Sequence, residues 1–313
     1  MKNKRKVLII VGATASGKSK VGFGIAKIIN AEIISADSRQ AYKYMDIGTA
    51  KPSKAELSEI KHDFIDELLP NQNYNAGEYG KDARERIEEI FQKGINPIVV
   101  GGSGLYIQAL VDGFFSGPPA DEEIRSELSK RLETEGAEVL LAELRRVDHK
   151  SADKMLPTNT RRIIRALEVY KITGSPISEL HQENIAPNFK PIIVGLSWER
   201  KILYDRINKR VEWMFENGLL FEVKKLLEKG YTSDLNSLQT VGYQEVFKYF
   251  DGKLTYEEML HLIKQNSRHY GKRQLTWFRK DDRIKWFNAR EEQDLNNISR
   301  NIQVYFNTKA ESN

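Results

Sequence analysis

The chain has 313 residues, 40% of them hydrophobic and 30% charged, a balance that excludes a disordered chain and an integral membrane protein. Its 49 lysines and arginines outnumber its 44 aspartates and glutamates, so the net charge of +5 favours a polyanionic partner. Cysteine is absent, which excludes disulfide bonds, thiolate metal sites and cysteine nucleophiles, and we expect a cytoplasmic protein.

The first hundred residues predict a doubly wound parallel sheet. Residues 7–11, VLIIV, form a continuously apolar and mostly β-branched run, which is typical of a central strand buried on both faces. A helical pattern at 18–29 and a second strand pattern at 32–35 follow, so the chain opens with a βαβ unit. An amphipathic helix at 76–93 and a short buried strand at 97–100 continue the alternation.

After residue 116 the sequence changes to helical patterns rich in glutamate, arginine and lysine, and the strand pattern resumes at 192–196. The remaining predicted elements are helices at 199–217, 219–229 and 255–280 and a strand at 284–287. These patterns predict an α/β fold, a parallel sheet flanked by helices with an inserted all-helical domain. The predicted boundaries are 1–115 and 190–300 for the core, 116–189 for the helical insertion and 301–313 for a C-terminal tail.

The turn between the first strand and the first helix carries the sequence GATASGKS, which fits the P-loop pattern G-x-x-x-x-G-K-[ST]. In such a loop the glycines let backbone N–H groups approach phosphates, the lysine contacts the outer phosphate oxygens and the serine hydroxyl is placed to bind Mg²⁺. The core is therefore expected to be P-loop NTPase-like. The predicted diphosphate-binding residues are Gly12, Ala13, Thr14, Ala15, Ser16, Gly17, Lys18 and Ser19, with Ser19 as the Mg²⁺ ligand.

A carboxylate follows the second strand, where a parallel sheet brings it to the same edge as the P-loop. This is Asp37, for which three interpretations stay open: a Mg²⁺-holding acid, a general base, or a residue that only forms a turn. Ser38, Arg39 and Gln40 extend polar groups into the same cleft.

Six blocks of sequence, in this order, resemble the tRNA dimethylallyltransferase family from about residue 5 to residue 290. They are GATASGKS, SADSRQAYKYMDIGTAKPS, VVGGSGLYIQAL, TRRIIRALEVY, VGYQE and KRQLTWFRK, among which MDIGTAKP is particularly distinctive. The resemblance implies transfer of a dimethylallyl group from dimethylallyl diphosphate to N6 of adenosine 37 in tRNA, with release of diphosphate.

The resemblance also implies roles for individual residues. An adenine N6 amine is a poor nucleophile, so a general base is useful, and Asp37 is the candidate. The leaving diphosphate needs cations and donors around it. Thr14 would contact its bridging oxygen, and Lys18, Ser19 and Mg²⁺ its terminal oxygens. Arg210 matches a basic residue at the diphosphate end, with a solvated helix charge as the alternative.

A further set of positions matches the RNA-contacting parts of the family. Besides Asp37, these are Ser38, Arg39, Gln40, Ser103, Arg125, Arg161, Arg162, Ile163, Ile164, Arg165, Gln239, Thr240, Val241, Gly242, Tyr243 and Gln244. Arginines there would contact phosphates or stack on bases, and Tyr243 could be an aromatic platform. The alternatives are a solvated arginine face on the insertion and a core tyrosine at 243.

The expected partners are tRNA and dimethylallyl diphosphate, the expected cofactor is Mg²⁺, and we expect a monomer without membrane association. Two other functions stay open from the sequence. One is a P-loop kinase or NTPase acting on a small molecule. The other is a non-catalytic RNA-binding protein that uses the P-loop as a switch, and such a protein would not need the carboxylate of Asp37.

Overall fold

A computed structural model describes residues 4–113, 117–180 and 186–311. Its strands form one parallel sheet in the order β3-β2-β4-β1-β5-β6. The strands are β1 (Lys6–Gly12), β2 (Ala31–Ala36), β3 (His62–Asp63), β4 (Asn96–Gly101), β5 (Lys190–Trp198) and β6 (Lys285–Ala289). The α/β fold and its parallel sheet are therefore confirmed.

The position of β1 in the middle of the sheet explains its continuous apolar run. Ile9 is in register with Val99 of β4 and Ile193 of β5. Leu8 and Ile10 belong to the hydrophobic cluster on one face of the sheet, while Val7, Ile9 and Val11 belong to the cluster on the other face. Both faces are covered, so no position of this strand needs a polar side chain. The carboxyl ends of β1, β2 and β4 meet at one edge.

Helices account for most of the remaining chain. In chain order they are α1 (Lys18–Ile29), α2 (Lys54–Glu59), α3 (Ala76–Gln92), α4 (Gly104–Asp112), α5 (Glu122–Glu135), α6 (Ala137–Val147), α7 (His149–Ala152), α8 (Thr160–Thr173), α9 (Ile177–Leu180), α10 (Arg200–Glu216), α11 (Leu219–Glu228), α12 (Tyr243–Phe250), α13 (Tyr256–Phe278) and α14 (Asp294–Glu311). A 3₁₀ turn lies at Asn236–Leu238. None of the helices in the described ranges is both long enough and apolar enough to cross a bilayer.

The chain divides into two compact units, Met1–Val111 with Pro187–Asn313, and Asp112–Ala186. The second unit is helical and has its own core, in which Leu128, Leu140, Leu144 and Leu167 have no or almost no exposed surface. The sequence predicts an insertion at 116–189, and residues 116 and 181–185 of that range lie outside the described residues.

The first unit contains a third hydrophobic cluster beside the two that cover the sheet. It joins α10, α11, α12 and α13 to the segment that follows β2, with Tyr42 and Met45 buried among the helices. This cluster places residues 42–50 next to α10 and α11. The segment with the distinctive MDIGTAKP sequence is thus part of a packed helical layer, not an open loop.

The end of the chain differs from the expected tail at 301–313. Residues 301–311 continue α14, and Ile302, Tyr305 and Phe306 pack in the cluster that also contains Val21 and Ile25 of α1. Apolar side chains three or four residues apart line one face of a helix, so this end of the chain covers the sheet instead of extending from it.

Candidate active site

A cavity of about 120 Å³ opens where β1, β2 and β4 end. Thr14, Lys18 and Ser19 of the P-loop line it, together with Asp37 and Arg210. Five of the residues that the sequence predicts for the chemistry therefore share one cavity, although Arg210 lies almost two hundred residues after the others. This follows from the fold, because α10 packs beside the edge at which β1 and β2 end.

The P-loop has the backbone conformation that its glycines permit. Gly17 has φ +86°, a left-handed value that glycine adopts at little cost, and an added Cβ would meet Leu295 Cδ1 at 2.6 Å. Ala15 also lies in the left-handed region at φ 59°, which is unfavourable for a residue with a side chain. Two donors from elsewhere fix this turn: Arg206 Nε donates to Ala15 O at 2.8 Å, and Trp198 Nε1 donates to Ser16 O at 2.9 Å.

Gln274 joins the P-loop to the end of β4. Its Oε1 accepts a hydrogen bond from Thr14 N at 2.8 Å, and its Nε2 donates to Gly102 O at 2.9 Å. The side chain is 7% exposed, so both bonds are shielded from water. At Gly102 an added Cβ would meet Gln274 Nε2 at 2.4 Å, which explains the glycine there. Gln274 thus determines where Thr14 lies.

Lys18 and Arg210 bring two positive charges into the cavity. Desolvation, followed by the charge of Arg210, lowers the pKa of Lys18 to about 8, although Asp37 acts in the opposite direction. Burial also lowers the pKa of Arg210. Arg210 Nη2 donates to Thr49 O at 3.1 Å, whereas its Nε is buried and has no hydrogen-bond partner among the described residues. Two desolvated cations with an unpaired donor fit an anionic ligand.

Asp37 lines the cavity as a half-buried carboxylate. Its Oδ1 accepts from Arg39 N at 3.0 Å, so the predicted turn does form. In the part of the chain that the structure describes, Oδ2 accepts no hydrogen bond, which leaves that oxygen able to take a proton. The turn and a chemical role are therefore compatible, because they use different oxygens.

Part of the cavity wall is apolar. Helix α10 contributes Ile207, Val211 and Met214, α13 contributes Ile263, and Val241 lies two positions before α12. The other aliphatic lining residues are Ala50 and Val100. A hydrocarbon group can therefore be buried in the same cavity that presents the two cations and the carboxylate.

The predicted RNA-contacting residues near the sheet separate into two groups. Those lining the cavity are Arg39, Gln40, Thr240, Val241 and Gly242. Ser38 is half-buried, and Ser103 is held beside the end of β2 by its N–H, which donates to Ala36 O at 3.1 Å, without lining the cavity. Gln239 is exposed, and Gln244 Nε2 donates to Ser233 O and Leu238 O.

Tyr243 is a core residue and not an exposed aromatic platform. It has 0% exposed surface, and its hydroxyl donates to Glu222 Oε1 at 2.7 Å. Since the ring is enclosed by protein, no face is available for a base to stack on. The structure therefore does not place an aromatic platform at this position.

The predicted RNA-contacting residues of the helical unit also divide by exposure. Arg161 and Arg162 are exposed at the start of α8. Arg165 and Arg125 instead pair with the buried carboxylate of Glu168, at 2.7 and 2.8 Å. Two further predicted residues face the protein, since Ile163 is 0% exposed in the core and Ile164 packs against it. Of these arginines, only Arg161 and Arg162 are exposed and form no ion pair within the described residues.

Four side chains that organise the site were not predicted. They are Trp198, Arg206, Glu222 and Gln274. Each acts on backbone atoms that are distant in sequence, up to 260 residues away for Gln274 and Thr14. The only available signal for any of them is the KRQLTWFRK block, which contains Gln274.

Known proteins match most of the chain. The family model described as IPP transferase matches residues 40–281. A protein of Thermotoga neapolitana named tRNA dimethylallyltransferase is 48% identical over 283 residues, which are 90% of this chain and 92% of that protein. The chain belongs to the IPP transferase family. The P-loop and Asp37 precede the segment that the family model matches, so the argument for their roles depends on the cavity.

Solved structures of related proteins agree with this assignment. The full-length tRNA isopentenylpyrophosphate transferase of Bacillus halodurans has a TM-score of 0.71 and 40% identity, over 98% of each chain. A eukaryotic dimethylallyltransferase acting on tRNA has a TM-score of 0.80 and 29% identity, over 98% of this chain and 80% of that one. The family resemblance inferred from the six sequence blocks is confirmed.

Proposed function

We propose that this protein transfers a dimethylallyl group from dimethylallyl diphosphate to N6 of adenosine 37 in tRNA and releases diphosphate. The observation that carries the proposal is the joint lining of one cavity by Lys18 and Arg210, by Asp37 and by an apolar wall. Cations suit the diphosphate, the wall suits the hydrocarbon chain, and the carboxylate suits the amine that is alkylated. Membership of the IPP transferase family supports the same reaction.

In the reaction, the N6 lone pair forms a bond to C1 of the allyl group as the bond between C1 and the bridging oxygen breaks. The electron pair of the broken bond leaves with diphosphate. Lys18 and Arg210 stabilise the charge that develops there, and Thr14, whose backbone is fixed by Gln274, contacts the bridging oxygen. These groups act on the leaving group only, since they contact no part of the base.

Asp37 takes the proton that N6 loses. A carboxylate with one oxygen engaged in a turn is held in position, and among the described residues its other oxygen has no hydrogen-bond donor and can accept a proton. Asp37 lines the same cavity as Lys18 and Arg210. We infer that the carboxylate acts on the atom that attacks C1.

Mg²⁺ fits the oxygen donors of the cavity. The Ser19 hydroxyl and the Asp37 carboxylate both line it, and Mg²⁺ prefers such ligands together with phosphate oxygens and water. We propose that Ser19 would hold the ion. Bound there, Mg²⁺ would neutralise charge on the diphosphate.

Residues of the cavity and arginines of the helical unit are each proposed to contact tRNA. Adenine N6 can enter the cavity only after the base leaves the stack of the anticodon loop. Arg39 and residues 240–242 line the cavity and are proposed to contact the extruded nucleotide. Arg161 and Arg162, which are exposed on the helical unit, are proposed to contact phosphates of the anticodon stem. We propose that the protein acts as a monomer in the cytoplasm.

Transfer is tested by incubating the protein with unmodified tRNA, Mg²⁺ and labelled dimethylallyl diphosphate, with labelled ATP in a parallel reaction. Label should enter tRNA from the prenyl donor alone. Digestion to nucleosides followed by mass spectrometry should identify N6-dimethylallyl adenosine, and a tRNA with guanosine at position 37 should stay unlabelled. Label transferred from ATP would support the kinase alternative, and binding of tRNA without any transfer would support the RNA-binding switch.

A further inference from the structure

The MDIGTAKP segment, residues 45–52, has no part in the chemistry proposed above, yet it is tightly held. Lys51 has a side chain that is 3% exposed, and its Nζ lies 2.7 Å from Asp46 Oδ1 and donates to Tyr42 O at 2.7 Å. The backbone enters a left-handed conformation at Tyr44, with φ 68°, and again at Ala50, with φ 46°. A segment held by a buried lysine in an unfavourable backbone conformation has a defined shape.

A single carboxylate on α11 holds the middle of this segment. Glu222 Oε2 accepts from Asp46 N at 2.8 Å and Ile47 N at 2.7 Å, and its Oε1 accepts from Gly48 N at 3.0 Å. The hydroxyl of Tyr243 donates to Oε1 at 2.7 Å. Glu222 is 8% exposed; its bond with Tyr243 is buried, and its three bonds with the backbone are partly buried. Neither oxygen can change its role without leaving a partly buried backbone donor unpaired.

The next two residues of the segment reach the diphosphate end of the cavity. Thr49 O accepts from Arg210 Nη2 at 3.1 Å and from Gln40 Nε2 at 3.3 Å. Ala50 O accepts from the same amide at 3.2 Å. Among the described residues, the bond to Thr49 O is the hydrogen bond that holds the Arg210 guanidinium, whose buried Nε has no partner. The Gln40 amide fixes the carbonyls of Thr49 and Ala50.

Arg210 needs this support because it lies near another cation. The positive charges of Lys18 and Arg210 repel each other, as the lowered pKa of Lys18 shows. Without a bound anion, a long flexible arginine would relieve the repulsion by turning away from Lys18. The carbonyl of Thr49 opposes that movement, but only while the backbone before it is fixed.

We propose that Glu222 is a positioning residue for the diphosphate site: it fixes residues 46–48, and through the Thr49 carbonyl it holds Arg210 beside the P-loop. This inference rests on the proposed function, since it assumes that the cavity binds the diphosphate of the prenyl donor. Glu222 itself contacts no substrate. Its effect should therefore appear in diphosphate binding and depend on Arg210.

The first experiment measures the affinity for inorganic diphosphate with Mg²⁺ by calorimetry, in wild type and in Glu222→Gln. Glutamine has the size of glutamate, but its NH₂ group must replace one of the two carboxylate oxygens. That group would then face two hydrogen-bond donors and could accept from neither. We expect affinity to fall about 10-fold or more, because a buried donor loses its acceptor and the segment shifts. The matched control is Asp63→Asn, which removes a buried carboxylate of the same unit that pairs with Lys61 and Arg86. The control should lose stability but keep its diphosphate affinity.

The second experiment separates positioning from general loss of structure. In an Arg210→Gln background, Glu222→Gln should reduce diphosphate affinity no further, because the group it positions is gone. In the Arg210-containing enzyme, Glu222→Gln should raise KM for dimethylallyl diphosphate and leave KM for tRNA unchanged. Equal losses in both backgrounds, or equal rises of both KM values, would overturn the proposal.

Should Glu222→Gln fail to fold, Gly48→Ala displaces the same segment without removing the carboxylate. A Cβ at Gly48 would meet Tyr243 Cε2 at 2.5 Å, so the segment must move. The expected result is again a loss of diphosphate affinity that disappears in the Arg210→Gln background. Wild-type affinity in Gly48→Ala would overturn the role of the segment. Absence of diphosphate binding by the wild-type protein would instead overturn the proposed function, and this inference with it.

Discussion

Lys18 and Arg210 lie in one cavity, and the charge of Arg210 contributes to lowering the pKa of Lys18 to about 8. The free protein therefore holds a lysine that is close to losing its proton at slightly alkaline pH. A bound diphosphate would reverse this effect, because its negative charge favours the protonated amine.

The first prediction is a change of diphosphate affinity with pH. Below pH 8 Lys18 is already protonated in the free protein, so in this range its titration should not make diphosphate affinity depend on pH. Above about pH 8, binding must return a proton to Lys18, and affinity should decrease by up to 10-fold per pH unit. Calorimetry between pH 7 and 9.5 in buffers of different ionisation enthalpy would measure both the affinity and the proton uptake.

The control for this prediction is Lys18→Met. Diphosphate itself titrates in this range, and its contribution is the same for both proteins. The difference between the two pH profiles therefore reports on Lys18. A profile in the methionine variant as steep as that of the wild type would assign the effect to another group.

The second prediction concerns Asp37→Asn. The amide oxygen of asparagine can still accept the hydrogen bond from Arg39 N that forms the turn. The amide cannot take a proton, so kcat should fall about 100-fold or more. Diphosphate affinity should stay the same or increase, because the cavity loses a negative charge near Lys18 and Arg210. Single-turnover kinetics and calorimetry would measure the two effects. Comparable losses of turnover and affinity would mean that Asp37 holds the metal ion and is not the base.

The third prediction tests the exposed arginines of α8. Replacing Arg161 and Arg162 together by glutamine should weaken tRNA binding and reduce the slope of log K against log salt, by about 1 for each lost phosphate contact. Arg131→Gln is the comparison, since its guanidinium already pairs with Glu135 and Glu143. If the double variant and the comparison have the same slope as wild type, the two arginines lie outside the interface.

The fourth prediction concerns the stability of the helical unit. Arg165→Met removes one of the two cations that pair with Glu168, whose side chain has no exposed surface. Since Arg125 remains, we expect a loss of about 2 kcal/mol, detected as faster amide exchange in α8. Adding Glu168→Met should recover part of this loss. Unchanged exchange in Arg165→Met would show that the pair does not stabilise the unit.

The elements with strong local signals were predictable from the sequence. The apolar run of β1 and the helix at 18–29 depend on neighbouring residues only, and the structure confirms the strand and the helix. The sequence does not predict helix α4, because its residues, GLYIQALVD, are mostly buried and show little amphipathic pattern. It predicts a tail at the end of α14, because the packing of Ile302, Tyr305 and Phe306 on the sheet has no strong local signal.

The candidate site was predictable where its residues carry recognisable chemistry. Lys18, Asp37 and Arg210 carry recognisable chemistry and do line one cavity. The residues that place them, such as Gln274 and Glu222, were not predictable. Their partners are backbone atoms more than 170 residues away, so the local sequence carries no signature of the contact. Tyr243 shows the same limit: an aromatic residue beside a glycine suits either an RNA surface or a core, and only burial decides between them.

The packing of Gly17 against Leu295 determines when the P-loop can complete its folding. The P-loop lies between β1 and α1, whereas the side chain that covers its glycine belongs to α14 and is synthesised much later. A nascent chain on the ribosome therefore contains the P-loop sequence long before the residue that covers it.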